Sequence, residues 1–184
     1  MFTVGHSTHP IDAFVEILQA HGVKQLIDIR TIPKSRHNPQ FNQETLSASL
    51  RKPKIAYVHM KDLGGLRRPR PDSPNAGWKN SSFRGYADYM QTAPFKEALK
   101  KLIALSKKHP TAIMCAEALP WKCHRSLVSD SLTAKGIPVE HLLSPTKRQT
   151  HTMTPFAKVT DGQLLYPKDK EQLELFQPKS PNLL

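Results

Sequence analysis

The sequence contains only two cysteines in 184 residues, Cys115 and Cys123, and no long hydrophobic run. Two cysteines exclude a scaffold of several disulfides and a four-cysteine zinc site. No segment approaches the roughly 18 consecutive apolar residues that a membrane helix needs. The N-terminal stretch MFTVGHSTHP lacks the basic region and apolar stretch of a secretory signal. We therefore expect a cytoplasmic protein with no membrane partner.

Glycine is also scarce, with 8 residues, and the common glycine-rich nucleotide motifs are missing. Neither the GxGxxG pattern of dinucleotide-binding folds nor the GxxxxGK[ST] pattern of P-loop proteins occurs. The one adjacent pair, Gly64 and Gly65, follows a predicted strand, where it permits close backbone approach to a ligand. We therefore take these two glycines as a candidate binding position.

Acidic residues are few, with 15 Asp and Glu against 27 Lys and Arg, and the formal net charge is +12. The segment from Arg30 to Arg70 contains ten basic residues and two acidic ones, so it supplies most of that excess. Such a concentration favours a polyanionic partner, because each neutralised phosphate releases counterions. We therefore expect nucleic acid or another phosphate-bearing ligand, with a solubilising basic surface as the alternative.

Short apolar runs alternate with helix-like periodicity along most of the chain. The runs at 2–5, 25–29, 55–59, 111–116 and 139–143 predict buried strands. Helices are predicted from about 10 to 22, where Ser7 or Thr8 could cap the first turn, and at 43–51, 85–90, 94–108 and 123–136.

This order predicts an α/β fold with an open, mostly parallel sheet and helices on both faces, the three-layer arrangement of Rossmann-like folds. Residues 158–166 carry an Asp-Gly turn and predict a small C-terminal β-hairpin. We expect a single domain over residues 1–166 and a polar C-terminal tail over residues 167–184.

Polar side chains follow four of the predicted strands, and ligands of open parallel sheets bind at the carboxyl ends of the strands. The candidates for anion or substrate binding at these ends are Ser7, Asp28, Arg30, Ser35, Arg36, Gly64 and Gly65. Arg30 and Arg36 suit a phosphate or carboxylate, with Ser35 as a hydroxyl donor. Asp28 lies inside an apolar strand and needs a partner, so a buried structural ion pair is the alternative interpretation.

The richest motif is MCAEALPWKCHRS at residues 114–126, which holds both cysteines. Cys123 is predicted at a helix start beside His124 and Arg125, where its thiol pKa would fall, whereas Cys115 could be a small core residue. Glu117 is the candidate general acid or base, assisted by His6 or His124, and Arg125 is a candidate anion binder. Either cysteine could be the nucleophile or a wall of the pocket.

The spacing of this motif does not match a zinc knuckle, and we assign no metal ligand from the sequence. Two alternatives stay open. Cys115, Cys123 and His124 could form a metal site with a histidine from the first strand, or the two cysteines could form a redox disulfide.

The motifs GHS, DIRTIPKSR, LGG, SFRGYADYM, MCAEALPWKCHRS and LTAKGIPVEHL together resemble the DUF488 family, in order and spacing, over residues 2–166. The resemblance implies the α/β domain, and it implies that the motif residues above form the functional site. It does not imply a particular reaction or cofactor.

The layout has a weaker likeness to rhodaneses and cysteine phosphatases. Those enzymes place a thiolate and an arginine on one tight anion-binding loop, but neither Cys115 nor Cys123 has the matching spacing to Arg125. A similar architecture alone does not establish a similar function.

The basic segment and the polar residues at the strand ends predict an enzyme acting on a phosphate-bearing substrate, nucleic acid or nucleotide. The alternatives are a non-catalytic nucleic-acid-binding module that uses the basic 30–70 surface, and a metal or thiol-redox protein.

Overall fold

The computed structural model describes residues 1–168, which form a six-stranded, mostly parallel sheet with five α-helices and a separate two-stranded hairpin. The strands of the sheet are β1 Phe2–Gly5, β2 Gln25–Asp28, β3 Ala56–His59, β4 Thr111–Cys115, β5 Glu140–Leu142 and β6 Arg148–Thr150. The helices are α1 Ile11–Ala20, α2 Gln43–Ser49, α3 Ser81–Tyr89, α4 Ala93–Ser106 and α5 Arg125–Thr133. The antiparallel hairpin joins β7 Lys158–Thr160 to β8 Gln163–Leu165. The predicted α/β class and C-terminal hairpin are confirmed.

The strand order β3-β2-β4-β1-β5-β6 brings the motifs that carry the candidate site residues together at the carboxyl ends of the central strands. Strands β1 to β5 are parallel to one another, and β6 runs antiparallel to β5. β4 lies between β1 and β2, so Cys115 pairs with Gly5, and Met114 pairs with Asp28. The residues that follow β1, β2 and β4 therefore meet at adjacent carboxyl ends, where open parallel sheets bind their ligands.

Helices cover both faces of the sheet, which confirms the three-layer arrangement. Alternate side chains of a strand point to opposite faces, so the sheet contributes to two separate cores. The core against α1 and α2 contains Val4, Phe14, Leu18, Leu26, Leu46 and Met114. The core against α3, α4 and α5 contains Ile27, Tyr86, Leu99, Ile113, Cys115, Cys123 and Leu127.

Three local features differ from the sequence prediction. Helix α1 begins after Pro10 without a side-chain cap, and Ser7 instead takes a left-handed turn with φ of 46°. Helix α5 begins at Arg125, so Cys123 precedes it in extended backbone. Strand β6 was not predicted because its residues are polar and exposed. Of the predicted tail, residues 169–184 lie outside the described residues.

The long loop between residues 66 and 80 is held by the C-terminal hairpin. The Gly77 amide donates to the Tyr166 carbonyl, and the Tyr166 amide donates to Asn75 Oδ1, both at 2.9 Å. Asn75 in turn donates to Asp88 of α3 at 2.8 Å. These bonds attach the loop to the helix that follows it. No helix within residues 1–168 has the length and apolarity needed to cross a membrane.

Candidate functional site

A cavity of about 410 Å³ opens at the carboxyl ends of β1, β2 and β4. All five candidate catalytic residues line it, namely His6, Cys115, Glu117, Cys123 and His124. Of the eight candidate binding residues, Arg30, Ser35 and Gly65 line it, whereas Ser7, Asp28, Gly64, Arg36 and Arg125 do not. The structure thus brings together residues that the sequence separates by more than one hundred positions.

Two sulfurs and one imidazole nitrogen converge at this cavity. The Sγ atoms of Cys115 and Cys123 lie 3.8 and 3.7 Å from Nδ1 of His124, and both thiols are free. The ligand atoms of the three residues lie within 4.8 Å of one another. The other ring nitrogen, Nε2, lies 3.2 Å from the carbonyl oxygen of Ile29. A carbonyl only accepts, so Nε2 carries the hydrogen and the Nδ1 lone pair faces the sulfurs.

The two thiols differ in acidity. Burial opposes ionisation of Cys123, but the hydrogen bond with Cys115 and the interactions with the neighbouring His124 and the charge of Arg125 outweigh it and hold the Cys123 pKa well below its usual range. The hydrogen bond to Cys123, followed by burial, raises the pKa of the Cys115 thiol. Cys123 is therefore the first thiol of the pair to ionise, and the thiolate is the form that reacts or binds metals.

Arg30 is fixed in place by Asp28 beneath the cavity. Its Nη2 donates to Asp28 Oδ2 at 2.6 Å and to the Phe41 carbonyl at 2.7 Å, and its Nε donates to Asp28 Oδ1 at 2.9 Å. Asp28 also accepts a hydrogen bond from the Tyr57 hydroxyl at 2.7 Å. The Asp28 carboxylate is therefore paired as its burial requires. Asp28 acts on the cavity only through Arg30.

His6 is a neutral hydrogen-bonding partner of Arg30. Its Nδ1 donates to the Ser7 carbonyl at 2.8 Å, so its Nε2 accepts from Arg30 Nη1 at 3.2 Å. Burial, with a smaller contribution from the Arg30 charge, lowers the pKa of His6 to about 4. The ring also stacks on Phe41 with centroids 4.2 Å apart. Both ring nitrogens are engaged, and His6 is outside the thiol–imidazole cluster.

Arg125 is buried below the site and does not reach the cavity. Its Nη2 donates to the carbonyl oxygens of Glu117 and Ala118, and its Nη1 donates to the Thr3 hydroxyl at 3.2 Å. A side chain at Gly5 would overlap the Glu117 carbonyl and approach Arg125. Arg125 therefore holds the backbone that carries Glu117, which is a different role from the anion binding expected from its position in the sequence.

The entrance of the cavity carries exposed charged side chains. Glu117 lines it together with Lys34 and Lys122, all three exposed, and Ser35. The Ser35 hydroxyl oxygen accepts a hydrogen bond from the Asn38 amide at 3.0 Å, which leaves its hydrogen available to a ligand. Neither lysine was singled out from the sequence. Both follow a strand that ends at the cavity, and this position after a strand could have identified them from the sequence.

The remaining candidates from the sequence are Arg36 and the two adjacent glycines. Arg36 is exposed and is not among the residues that line the cavity. A side chain at Gly64 would collide with Thr31, and a Cβ at Gly65 would lie 3.1 Å from Nδ1 of His124. Tyr86, which was not singled out from the sequence, contacts the His124 ring with centroids 5.0 Å apart and donates to the Leu63 carbonyl at 2.7 Å. Gly65 and Tyr86 together restrict how the imidazole can turn.

The chain matches the family model described as "Domain of unknown function DUF488" over residues 10–132. This match covers about two thirds of the chain. The chain belongs to the DUF488 family. The matched part of this DUF488 protein includes Cys115, Glu117, Cys123 and His124, whereas His6 precedes it and the C-terminal hairpin follows it. No match to the chain was found among curated proteins or among solved structures.

Proposed function

We propose that this DUF488 protein is a cytoplasmic enzyme that acts on a phosphate-bearing substrate, a nucleotide or a segment of nucleic acid. One observation carries the proposal: Cys115, Cys123 and His124 converge in a cavity whose entrance holds Lys34 and Lys122. Reactive groups with shifted pKa values in a concave site are a feature of catalytic centres. The cavity volume of about 410 Å³ lies within the range of small-molecule sites.

The cationic groups at the cavity suit a phosphate. Lys34 and Lys122 provide mobile ammonium groups, and Ser35 provides a hydroxyl donor. The hydrogen bonds of Arg30 among the described residues engage four of its five N–H groups, and one hydrogen on Nη1 is left for a ligand. Arg30 is rigid because Asp28 and Phe41 hold it. A fixed guanidinium flanked by two flexible lysines would orient the anionic end of a substrate.

The chemical step would take place beside this anion site. The thiol–imidazole cluster supplies the reactive centre, and Glu117 lies on the same cavity wall, two residues after Cys115. Glu117 is exposed, so its carboxylate can exchange protons with solvent and with a bound substrate. In this proposal Glu117 is the general acid or base.

The binding half of the proposal is tested by calorimetry with nucleoside monophosphates, inorganic phosphate and a short single-stranded oligonucleotide. We expect Lys34→Ala and Lys122→Ala each to weaken binding about 10-fold or more, since a hydrogen bond to a charged group contributes about 1.5 to 3 kcal/mol. Lys52→Ala is the matched control. Lys52 is also exposed, but it lies in the turn before β3, at the amino ends of the strands and away from the cavity. Equal losses in Lys52→Ala and Lys34→Ala would contradict a phosphate site in this cavity.

The catalytic half is tested with Glu117→Gln, which keeps the size of the side chain and removes its acid–base function. We expect turnover of a bound phosphate compound to stop while its affinity stays within about 3-fold of the wild type. Unchanged turnover in this variant would exclude Glu117 as the proton-transfer group. Binding of an oligonucleotide with no product from any variant would instead support the non-catalytic nucleic-acid module.

The structure gives that second function less support than the first. Ten basic residues lie between Arg30 and Arg70. Seven of them follow β2 or β3, whereas Arg51, Lys52 and Lys54 precede β3, at the amino ends of the strands. Arg67 lies over the Tyr89 ring at 3.6 Å, and Arg70 pairs with Asp72 at 2.9 Å. Arg67 and Arg70 therefore already have partners, and the three basic residues before β3 lie at the other end of the strands.

A further inference from the structure

We infer that Cys115, Cys123 and His124 bind one divalent metal ion of the zinc class, with the fourth coordination position open to the cavity. The inference deepens the proposed function and rests on it for the reaction. The metal binding itself is argued from the geometry of the three side chains.

The distances between the donor atoms fit a shared metal ion. With zinc–sulfur bonds of about 2.3 Å and a zinc–nitrogen bond of about 2.05 Å, tetrahedral geometry places sulfur and nitrogen about 3.6 Å apart. The observed separations from His124 Nδ1 are 3.8 Å to Cys115 Sγ and 3.7 Å to Cys123 Sγ. A single lone pair on Nδ1 can accept a good hydrogen bond from only one thiol. Two nearly equal distances are better explained by a common centre between the three atoms.

The hydrogen bond on the far side of His124 is the one that a metal-binding histidine needs. Metal-ligating histidines commonly donate their second ring N–H to a carbonyl or carboxylate, which fixes the tautomer and orients the ring. His124 Nε2 makes this contact with the Ile29 carbonyl at 3.2 Å, at the end of β2. The Nδ1 lone pair is thereby directed at the two sulfurs before any metal arrives.

The imidazole is also held from its ring face. A Cβ at Gly65 would lie 3.1 Å from Nδ1 and 3.5 Å from both neighbouring ring carbons, which places it above the ring plane. The Thr31 hydroxyl donates to the Gly65 carbonyl at 2.9 Å and keeps this backbone in position. Tyr86 restricts the ring further with its own ring centroid 5.0 Å away. The site is therefore preorganised, and metal binding would require little rearrangement.

The donor set determines the class of metal. Two thiolates and one imidazole are the soft and borderline ligands that select zinc and similar ions over magnesium or calcium, which prefer oxygen. Three protein ligands with one open position are typical of catalytic zinc, whereas structural zinc has four protein ligands. His6 does not complete the set, because its Nε2 accepts from Arg30. The cluster lines the cavity, so the open position is accessible to water or to a substrate oxygen.

Such an ion would supply the Lewis acid that the proposed reaction needs. A bound metal polarises a substrate oxygen or lowers the pKa of a coordinated water. Glu117 on the cavity wall could then receive the proton that this water loses. The two cysteines would serve as ligands, and neither would form a bond to the substrate.

The test uses the whole 184-residue chain, purified under reducing conditions without chelators and loaded with Zn²⁺ or Co²⁺. We expect one equivalent of metal per chain by elemental analysis. The Co²⁺ form should show visible bands of tetrahedral cobalt and a near-ultraviolet thiolate-to-cobalt band. Cys123→Ser and His124→Ala should each weaken Zn²⁺ affinity by at least about 100-fold, beyond the loss from an outer-shell change. His37→Gln, which alters an exposed histidine, should bind as the wild type does.

A second measurement covers the case in which a ligand variant does not fold. In the wild-type protein, excess Zn²⁺ should protect both thiols from a disulfide reagent, and excess Mg²⁺ should not. Metal content well below one equivalent after loading, without the thiolate-to-cobalt band, would overturn the inference. So would rapid oxidation of Cys115 and Cys123 to a disulfide by that reagent, which is itself reduced to its thiol, in the presence of Zn²⁺; this result would favour a redox pair.

Failure of the metal site and failure of the proposed function give different results. Metal content well below one equivalent together with turnover of a phosphate compound would refute the metal centre and leave the enzyme in place. A stoichiometric metal ion together with no binding of nucleoside monophosphates, phosphate or oligonucleotide would refute the phosphate-bearing substrate and leave the metal site.

Discussion

Mild acid should destabilise this protein through His6. The side chain is only 2% exposed, and its ring stacks on Phe41. Burial, with a smaller contribution from the Arg30 charge, brings its pKa from 6.5 to about 4, although the hydrogen bond to the Ser7 carbonyl acts in the opposite direction. A proton on Nε2 would also replace the acceptor that Arg30 uses by a second positive donor.

The size of the effect follows from the two pKa values. The unfolded chain protonates His6 near pH 6.5 and the folded protein near pH 4, so the unfolded state binds more protons between these values. Stability contributed by neutral His6 is therefore present above pH 6.5 and is lost as the pH falls. The loss between pH 7 and pH 5 is about 2 kcal/mol, and below pH 4 it approaches about 3 kcal/mol.

Urea unfolding at pH 7 and at pH 5 measures this loss directly. Relative to the wild type, His6→Gln should lose about 2 kcal/mol less on acidification, whereas the exposed control His37→Gln should match the wild type. Burial also lowers the pKa of His141 to about 4, and that contribution is common to all three proteins and cancels. A His6→Gln variant with the same acid loss as the wild type would refute the reasoning.

Three further outcomes are expected. Asp28→Asn should reduce the free energy of unfolding by about 3 to 5 kcal/mol in urea titrations, because it leaves the buried guanidinium of Arg30 without its counter-charge. Gly65→Ala should cost about 1 to 3 kcal/mol in the same assay, since its Cβ presses on the His124 ring. Metal-free protein treated with iodoacetamide near neutral pH should be alkylated at Cys123 before Cys115, as peptide mass spectrometry would show, because the Cys123 pKa is the lower one.

The architecture could be predicted because it depends on short-range patterns. The apolar runs that become β1 to β5 and the 3.6-residue periodicity of the helices are visible in the sequence, and parallel pairing follows from their alternation. Strand β6 could not be predicted in this way. Its three residues are all exposed, so no hydrophobic pattern marks them, and its pairing depends on the backbone of β5.

Only part of the candidate site could be predicted from the sequence. Cys115, Cys123 and His124 stand close together in the sequence, and their position after β4 placed them at the carboxyl edge of the sheet. The role of Arg125 could not be read from the motif, because its burial depends on the missing side chain at Gly5. The hydrogen bond from His124 Nε2 to the Ile29 carbonyl could not be predicted either, since no side-chain type in the sequence marks a backbone acceptor.

The hydrogen bonds that join Tyr166 to Gly77 and to Asn75 give the C-terminal hairpin a consequence for protein engineering. The DUF488 match ends at residue 132, and a truncation there would look reasonable from the alignment alone. It would release the loop at residues 66–80 and the start of α3, whose Ser82 and Phe83 form one wall of the cavity. A minimal fragment cut at the family boundary should therefore lose the shape of the pocket while keeping every residue of its cysteine motif.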